Sequence, residues 1–146
     1  MTGGSLTSEP ESPPRWPLQS RLELAALDTT PACARKHAKA VILEWGLAAL
    51  ADTAELLVSE LVTNAVRASA ALPSPVVGLW LVSDGQSVMA HVRDGSDAMP
   101  ERRDTDPDSA SGRGLLLVEA LGKDWGAYRK TSGKVVWVLI GESSQE

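Results

Sequence analysis

The run Glu-Leu-Leu-Val-Ser-Glu-Leu-Val-Thr-Asn-Ala-Val-Arg, residues 55–67, carries the strongest structural signal in this chain. Its apolar residues recur at helical spacing and predict a helix with one face in the core: Leu56, Leu57, Leu61, Val62, Ala65 and Val66. Glu60 and Asn64 have i, i+4 spacing, so they share one face of that helix. The carbonyl oxygen of Asn64 suits a hard cation such as Mg²⁺, and Glu60 can accept a proton from an attacking hydroxyl or water. Taken alone, a solvated Glu beside a helix-interior Asn is the commoner explanation of so short a pattern.

The segments around this helix predict a two-layer α/β sandwich, in which helices cover one face of a mixed, mostly antiparallel sheet. Thr30 as N-cap and Pro31 in the first turn are start signals for a first helix that Gly46 ends, and Asp52 with Glu55 has capping-box spacing at the start of the second. The predicted order is strand 20–27, helix 30–45, helix 52–70, strands 76–82 and 87–93, loop 94–111, helix 115–121, and strands 125–129 and 134–140.

Length and composition indicate one globular domain with a substantial core, since the chain has 146 residues, 43% of them hydrophobic. Residues 1–17 are rich in Ser, Pro and Gly and predict a disordered tail, residues 18–141 form the domain, and residues 142–146 form a second tail. A net charge of −5 without a basic stripe argues against nucleic acid as a partner. The sequence shows neither a signal peptide nor an apolar run of membrane-spanning length, so we expect a cytoplasmic protein with no membrane partner. Cys33 is the single cysteine, which excludes an internal disulfide.

Further short motifs could line a ligand site together with Asn64. Asp94 ends a predicted strand, where its carboxylate could accept a hydrogen bond from the exocyclic amine of adenine, although a simple Asp-Gly turn is the commoner explanation when the residue is taken alone. Gly112-Arg113-Gly114 opens the last predicted helix, where backbone amides attract phosphate, although an ordinary N-cap loop also fits. Arg67 follows Asn64 by about one turn and could either reach a phosphate or be a surface side chain.

The order of these motifs along the chain resembles that of the GHKL (Bergerat-fold) ATPases. The chain is most similar to small stand-alone bacterial ATP-binding proteins related to anti-sigma factor serine kinases. That similarity rests on Ser-Glu-Leu-Val-Thr-Asn-Ala-Val-Arg at 59–67, Gly-Arg-Gly-Leu-Leu-Leu-Val-Glu-Ala-Leu at 112–121, Trp-Gly at 125–126 and Gly-Lys-Val-Val-Trp at 133–137. The resemblance covers about residues 20–140, nearly the whole predicted domain.

The resemblance implies a histidine-kinase-like ATPase fold with ATP and Mg²⁺ as cofactors. Glu60 would be the catalytic base, Asn64 the Mg²⁺ ligand and Asp94 the adenine-binding residue. Nucleotide phosphates would be lined by Arg67, Gly112, Arg113 and Gly114, and residues 98–111 would form a lid. The implied partners are a sigma factor and a STAS-domain antagonist that is phosphorylated on a serine or threonine. Pairing of two copies into a homodimer is left open.

The chain departs from the family pattern beside Asp94. The usual Asp-x-Gly-x-Gly is Asp-Gly-Ser-Asp-Ala at 94–98, so Ser96 and Ala98 replace two glycines, and Val135 stands where the family commonly has Thr. A second hypothesis follows, in which the same fold captures a sigma factor or antagonist without catalysis. A third is a simple ATPase, or a kinase domain that works within a larger complex.

Overall fold

The computed structural model describes residues 16–97 and 110–141, and for residues 110–115 it describes the backbone alone. These residues form five strands and three helices. In chain order they are β1 Leu18–Ala25, α1 Thr30–Glu44, α2 Ala48–Ala68, β2 Val76–Ser83, β3 Val88–Asp94, α3 Ala110–Leu121, β4 Asp124–Arg129 and β5 Lys134–Ile140. Three predicted segments lie wholly or mostly outside the described residues. They are residues 1–15 of the predicted tail 1–17, the predicted tail 142–146, and residues 98–109 of the predicted lid 98–111.

The five strands form one sheet in the order β1-β2-β3-β5-β4. Each neighbouring pair of these strands is antiparallel. The sheet is therefore antiparallel throughout, whereas the sequence predicted a mixed, mostly antiparallel sheet. The predicted two-layer α/β sandwich is confirmed. β5 lies between β3 and β4, which brings the beginning of β5 beside the end of β3.

The main core lies between the sheet and the helices. Alternate residues of the strands, such as Leu81 and Val138, point toward buried residues of α2, such as Leu57 and Val58. Each of these four side chains is fully buried, and burying a Leu or Val side chain contributes about 1.5–3 kcal/mol. This packing fixes α2 against the sheet and thereby fixes where Glu60 and Asn64 lie.

The opposite face of the sheet carries a second, aromatic cluster. Its buried members are Val82, Met89, Tyr128, Val135 and Trp137, and Trp16, Trp80 and Leu139 pack against them. The Trp80 ring stacks on His91 at 4.9 Å between centroids, and the Arg21 guanidinium lies 4.1 Å from the Trp80 centroid. Both faces of the sheet are therefore apolar near its middle.

The start of the first helix differs in detail from the prediction. Thr30 is the first helical residue rather than the N-cap, and its buried hydroxyl accepts a hydrogen bond from the Leu27 amide and donates one to the Ala25 carbonyl. Thr30 thus ties the end of β1 to the start of α1. Gly46 follows the helix with φ +79°, as expected of a glycine that ends a helix.

The second helix begins at Ala48, one turn before the predicted start at Asp52. The capping-box interpretation of Asp52 and Glu55 was wrong, because Glu55 forms ion pairs across to α1. Its carboxylate lies 3.6 Å from Arg35 Nε and 3.9 Å from Lys39 Nζ. The capping-box spacing of Asp52 and Glu55 therefore did not mark the start of a helix, since Glu55 is used in a tertiary contact.

Among the described residues, no helix is both long enough and apolar enough to cross a lipid bilayer.

Candidate functional site

Asn64 carries the clearest sign of a ligand site on α2. Its Oδ1 atom is buried and has no hydrogen-bond partner among the described residues. Leaving a buried acceptor unpaired costs about 1–3 kcal/mol, so such an atom in a folded protein requires an explanation. A cation or a hydrogen-bond donor on a bound ligand would supply the missing partner.

Glu60 lies one helical turn before Asn64 and is half-buried. Its carboxylate forms no hydrogen bond or ion pair within the part of the chain that the structure describes. It is therefore available to accept a proton from a ligand or partner held beside Asn64. Arg67 is exposed in the last turn of the same helix.

Asp94, the last residue of β3, forms a buried ion pair with Lys134, the first residue of β5. The two residues are 2% and 3% exposed. Lys134 Nζ lies 3.0 Å from Asp94 Oδ1 and 3.0 Å from Oδ2. Asp94 Oδ1 also accepts a hydrogen bond of 2.7 Å from the Ser96 amide. The carboxylate predicted to bind adenine is thus already held by two donors of this chain.

The register of the sheet explains this pair. Asp94 and Lys134 lie directly opposite each other on β3 and β5. Val92 and Val136, two residues away on their respective strands, both belong to the main core under the helices. Since side chains alternate along a strand, Asp94 and Lys134 lie on the helix side of the sheet, the side on which α2 carries Asn64.

Gly133 allows the backbone of the β4–β5 turn to approach Asp94. It has φ +94°, and a Cβ atom placed on it would lie 2.1 Å from the Asp94 carbonyl oxygen. No side chain fits in that space, so a glycine is required immediately before Lys134.

The glycines predicted to open α3 lie inside it. The helix begins at Ala110, so Gly112 and Gly114 fall in its first two turns, and the prediction that they precede the helix was wrong. The first four amides of a helix lack intrahelical partners, and Gly112 supplies one of them. α3 packs against α2 and so lies on the helix side of the sheet. The Arg113 side chain lies outside the described residues.

The residues present fit a magnesium ion bound together with a nucleotide. Mg²⁺ keeps several waters and takes few protein oxygens when phosphates complete its coordination. The buried, unpaired Oδ1 of Asn64 matches the need for one such oxygen. Within the described ranges, no group of three or more His, Cys, Asp and Glu side chains could hold a metal ion.

A cavity of about 380 Å³ borders Asp94 and Gly95 from another direction. Glu23, Gly78 and Arg93, which also line it, are neighbours across β1, β2 and β3. Arg93 alternates with Val92 and Asp94, so this row lies on the face away from the helices. The part of the cavity that this row lines therefore lies on the face opposite Asn64.

Lys134 is the residue that sequence reasoning missed. The run Lys-Val-Val-Trp-Val-Leu-Ile at 134–140 was predicted as a strand, with the bounds that the structure shows. Alternation along that run places Lys134 on the same face as Val136, Val138 and Ile140, all in the main core. A lysine in phase with a buried face needs an acidic partner, and that was the signal available in the sequence.

Comparison with known families gives a match that spans most of the chain. A family model described as histidine kinase-like ATPase domain matches residues 24–140, from within β1 to the end of β5. Comparison with curated proteins found no match.

Proposed function

The chain belongs to the histidine kinase-like ATPase domain family, and from that membership we propose that it is a regulatory protein that binds ATP with Mg²⁺. We further propose that it acts as a serine/threonine protein kinase on a STAS-type antagonist, in the manner of anti-sigma factors. Family membership supports ATP binding, and the similarity of residues 59–67 and 112–121 to anti-sigma factor kinases supports the narrower role.

The single observation that carries the proposal is the buried, unpaired Oδ1 of Asn64. The fold positions this atom on the helix side of the sheet, within one turn of the available carboxylate of Glu60. Phosphoryl transfer needs charge neutralisation at the phosphates and a group that orients the attacking hydroxyl. Asn64 and Glu60 match those two needs.

In this mechanism Asn64 would hold the ion through Oδ1, while the amide of Gly112 would face the phosphates. Glu60 would orient the hydroxyl of the partner's serine or threonine and take its proton as the oxygen bonds to the γ-phosphorus. The bound Mg²⁺-ATP supplies the transferable phosphoryl group and releases ADP. Asp94 would accept a hydrogen bond from the adenine amine.

Glu60→Gln tests the catalytic proposal. The change keeps the size of the side chain and removes its capacity as a base, so phosphoryl transfer to a STAS-domain substrate should fall by about 100-fold or more. ATP affinity, measured by calorimetry, should change little. Glu44→Gln is the matched control, because Glu44 is an exposed glutamate at the end of α1. Equal transfer rates for Glu60→Gln and the control would contradict the proposal.

A second function is favoured by a specific observation. Asp94 is already bound by Lys134 and by the Ser96 amide, which reduces its capacity for a nucleotide. In this alternative the same fold captures a sigma factor or antagonist without phosphorylating it. It predicts that partner capture is equal with and without ATP, and that Glu60→Gln leaves capture unchanged.

A further inference from the structure

The buried ion pair of Asp94 and Lys134 contains unused hydrogen-bonding capacity on both partners. A lysine ammonium has three N–H donors, and each carboxylate oxygen can accept about two hydrogen bonds. Lys134 Nζ contacts the two oxygens of Asp94 and no other acceptor among the described residues. Asp94 Oδ1 accepts from both Lys134 and the Ser96 amide, whereas within the described ranges Oδ2 accepts from Lys134 alone.

At least one N–H of Lys134 and one acceptor position on Asp94 Oδ2 therefore remain, and they are adjacent. The side chains of Lys134 and Asp94 are 4% and 1% exposed, so water satisfies these positions poorly. A hydrogen bond made at these positions is little weakened by competing water, so a ligand that fits them gains from each bond. Such a pair can bind a ligand whose edge places an acceptor opposite the Lys134 N–H and, next to it, a donor opposite Asp94 Oδ2.

The Watson–Crick edge of adenine has that pattern, since the N6 amine donates and the adjacent N1 accepts. We propose that Lys134 is a base-specificity residue, which donates a hydrogen bond to adenine N1 while Asp94 Oδ2 accepts one from the N6 amine; this inference rests on the proposed function of ATP binding. In the same pose guanine presents the O6 acceptor to Asp94 and the N1–H donor to Lys134. Both contacts are then repulsive, so the pair selects adenine.

The wild-type protein tests the proposal without any substitution. In 1-deaza-ATP a C–H replaces N1, whereas 7-deaza-ATP loses an acceptor on the other side of the base. We expect calorimetric titration with Mg²⁺ to show 1-deaza-ATP binding about 10-fold or more weakly than ATP, because a hydrogen bond to a charged donor is lost. 7-deaza-ATP should bind within about 3-fold of ATP, because Lys134 does not face that atom.

Lys134→Met assigns the effect to this side chain. The variant keeps a long side chain but cannot donate, so its affinities for ATP and 1-deaza-ATP should become equal within about 2-fold. Lys130→Met is the matched control, because Lys130 lies exposed in the turn of the same hairpin and loses the same charge. It should keep the wild-type ratio of the two affinities. A purely structural role of Lys134 would lower both affinities together and leave their ratio unchanged.

Each outcome is decisive. If wild-type protein binds ATP and 1-deaza-ATP equally, Lys134 does not contact N1 and the inference fails, while ATP binding stands. If millimolar ATP does not bind at all, the proposed function fails together with the inference. If Lys134→Met does not fold, the wild-type comparison of the two deaza nucleotides still decides the question.

Discussion

At the scale of single residues, we expect Asn64 to contribute to ligand binding and not to the stability of the free protein. An unsatisfied buried acceptor stabilises nothing in the free protein, and its removal relieves a desolvation cost. Asn64→Ala should therefore leave the thermal midpoint of the nucleotide-free protein unchanged or slightly raised. Magnesium-dependent ATP binding should fall by about 10-fold or more, because the ion loses its protein oxygen. Thermal unfolding without nucleotide and calorimetry with ATP provide the two measurements. A clear loss of stability without nucleotide would show that Asn64 has a structural partner instead.

Asp94 and Lys134 show the opposite behaviour, because each depends on the other. Removing one member of a buried ion pair leaves an uncompensated charge, which typically costs about 3–5 kcal/mol. Lys134→Met should lower the free energy of unfolding by about that amount, measured by urea denaturation. The double variant Asp94→Asn with Lys134→Met should lose less than Lys134→Met alone, because no buried charge remains and the Asn carbonyl can still accept from the Ser96 amide. A loss in the double variant equal to the sum of the losses in Asp94→Asn and Lys134→Met would contradict a coupled pair.

At the scale of elements, the turn between β4 and β5 sets the register on which the site depends. Gly133 and Gly85 both have positive φ, +94° and +96°, but only Gly133 is in contact with other atoms at its Cβ position. Gly85→Ala should cost about 1–3 kcal/mol for the backbone conformation alone. Gly133→Ala should cost clearly more, because its methyl group would lie 2.1 Å from the Asp94 carbonyl oxygen. Urea denaturation of the two variants measures the difference, and equal losses would mean that the turn moves away without cost.

The elements that the sequence predicted well are those with a strong local pattern. The helical period of residues 55–67 reflects a single buried face, and the continuous apolar run at 135–140 is typical of a strand buried on both faces, so α2 and β5 could be placed from the sequence. The starts of α2 and α3 were misplaced, by one turn and by more than one turn, because helix ends depend on weak signals that tertiary contacts override. Glu55 illustrates this, since its ion pairs to α1 involve residues about 20 positions earlier.

The contacts within the candidate site also differ in whether a local sequence pattern predicts them. The proximity of Glu60 and Asn64 could be predicted because both lie on one helix, where sequence spacing fixes their relation. The partner of Asp94 could not, because Lys134 meets it through the pairing of two strands that the chain separates by α3 and β4. Sheet register depends on the whole core, and no local motif encodes it.

At the scale of the whole molecule, the candidate site belongs to the main core. Asn64, Asp94 and Lys134 lie on α2, β3 and β5, and each of these elements contributes buried residues to one cluster, among them Leu61, Val92 and Val138. None of the three residues can separate from the others unless the core opens. Ligand binding at this site should therefore be coupled to global unfolding, and not only to the motion of a loop.

This coupling predicts how ATP changes the stability of the protein. A ligand that binds the folded state alone stabilises it by about 2.7 kcal/mol at a concentration 100 times its dissociation constant. We expect ATP with Mg²⁺ at that concentration to raise the urea midpoint of the wild-type protein accordingly, while GTP with Mg²⁺ at the same concentration raises it less. ATP with a chelator should give a smaller increase. ATP with Mg²⁺ in the Asn64→Ala variant should also give a smaller increase, since a 10-fold loss of affinity reduces the stabilisation to about 1.4 kcal/mol at the same concentration. An equal increase in wild type and Asn64→Ala would place the nucleotide elsewhere on the molecule, because a ligand of this site loses affinity when the Asn64 oxygen that holds its ion is removed.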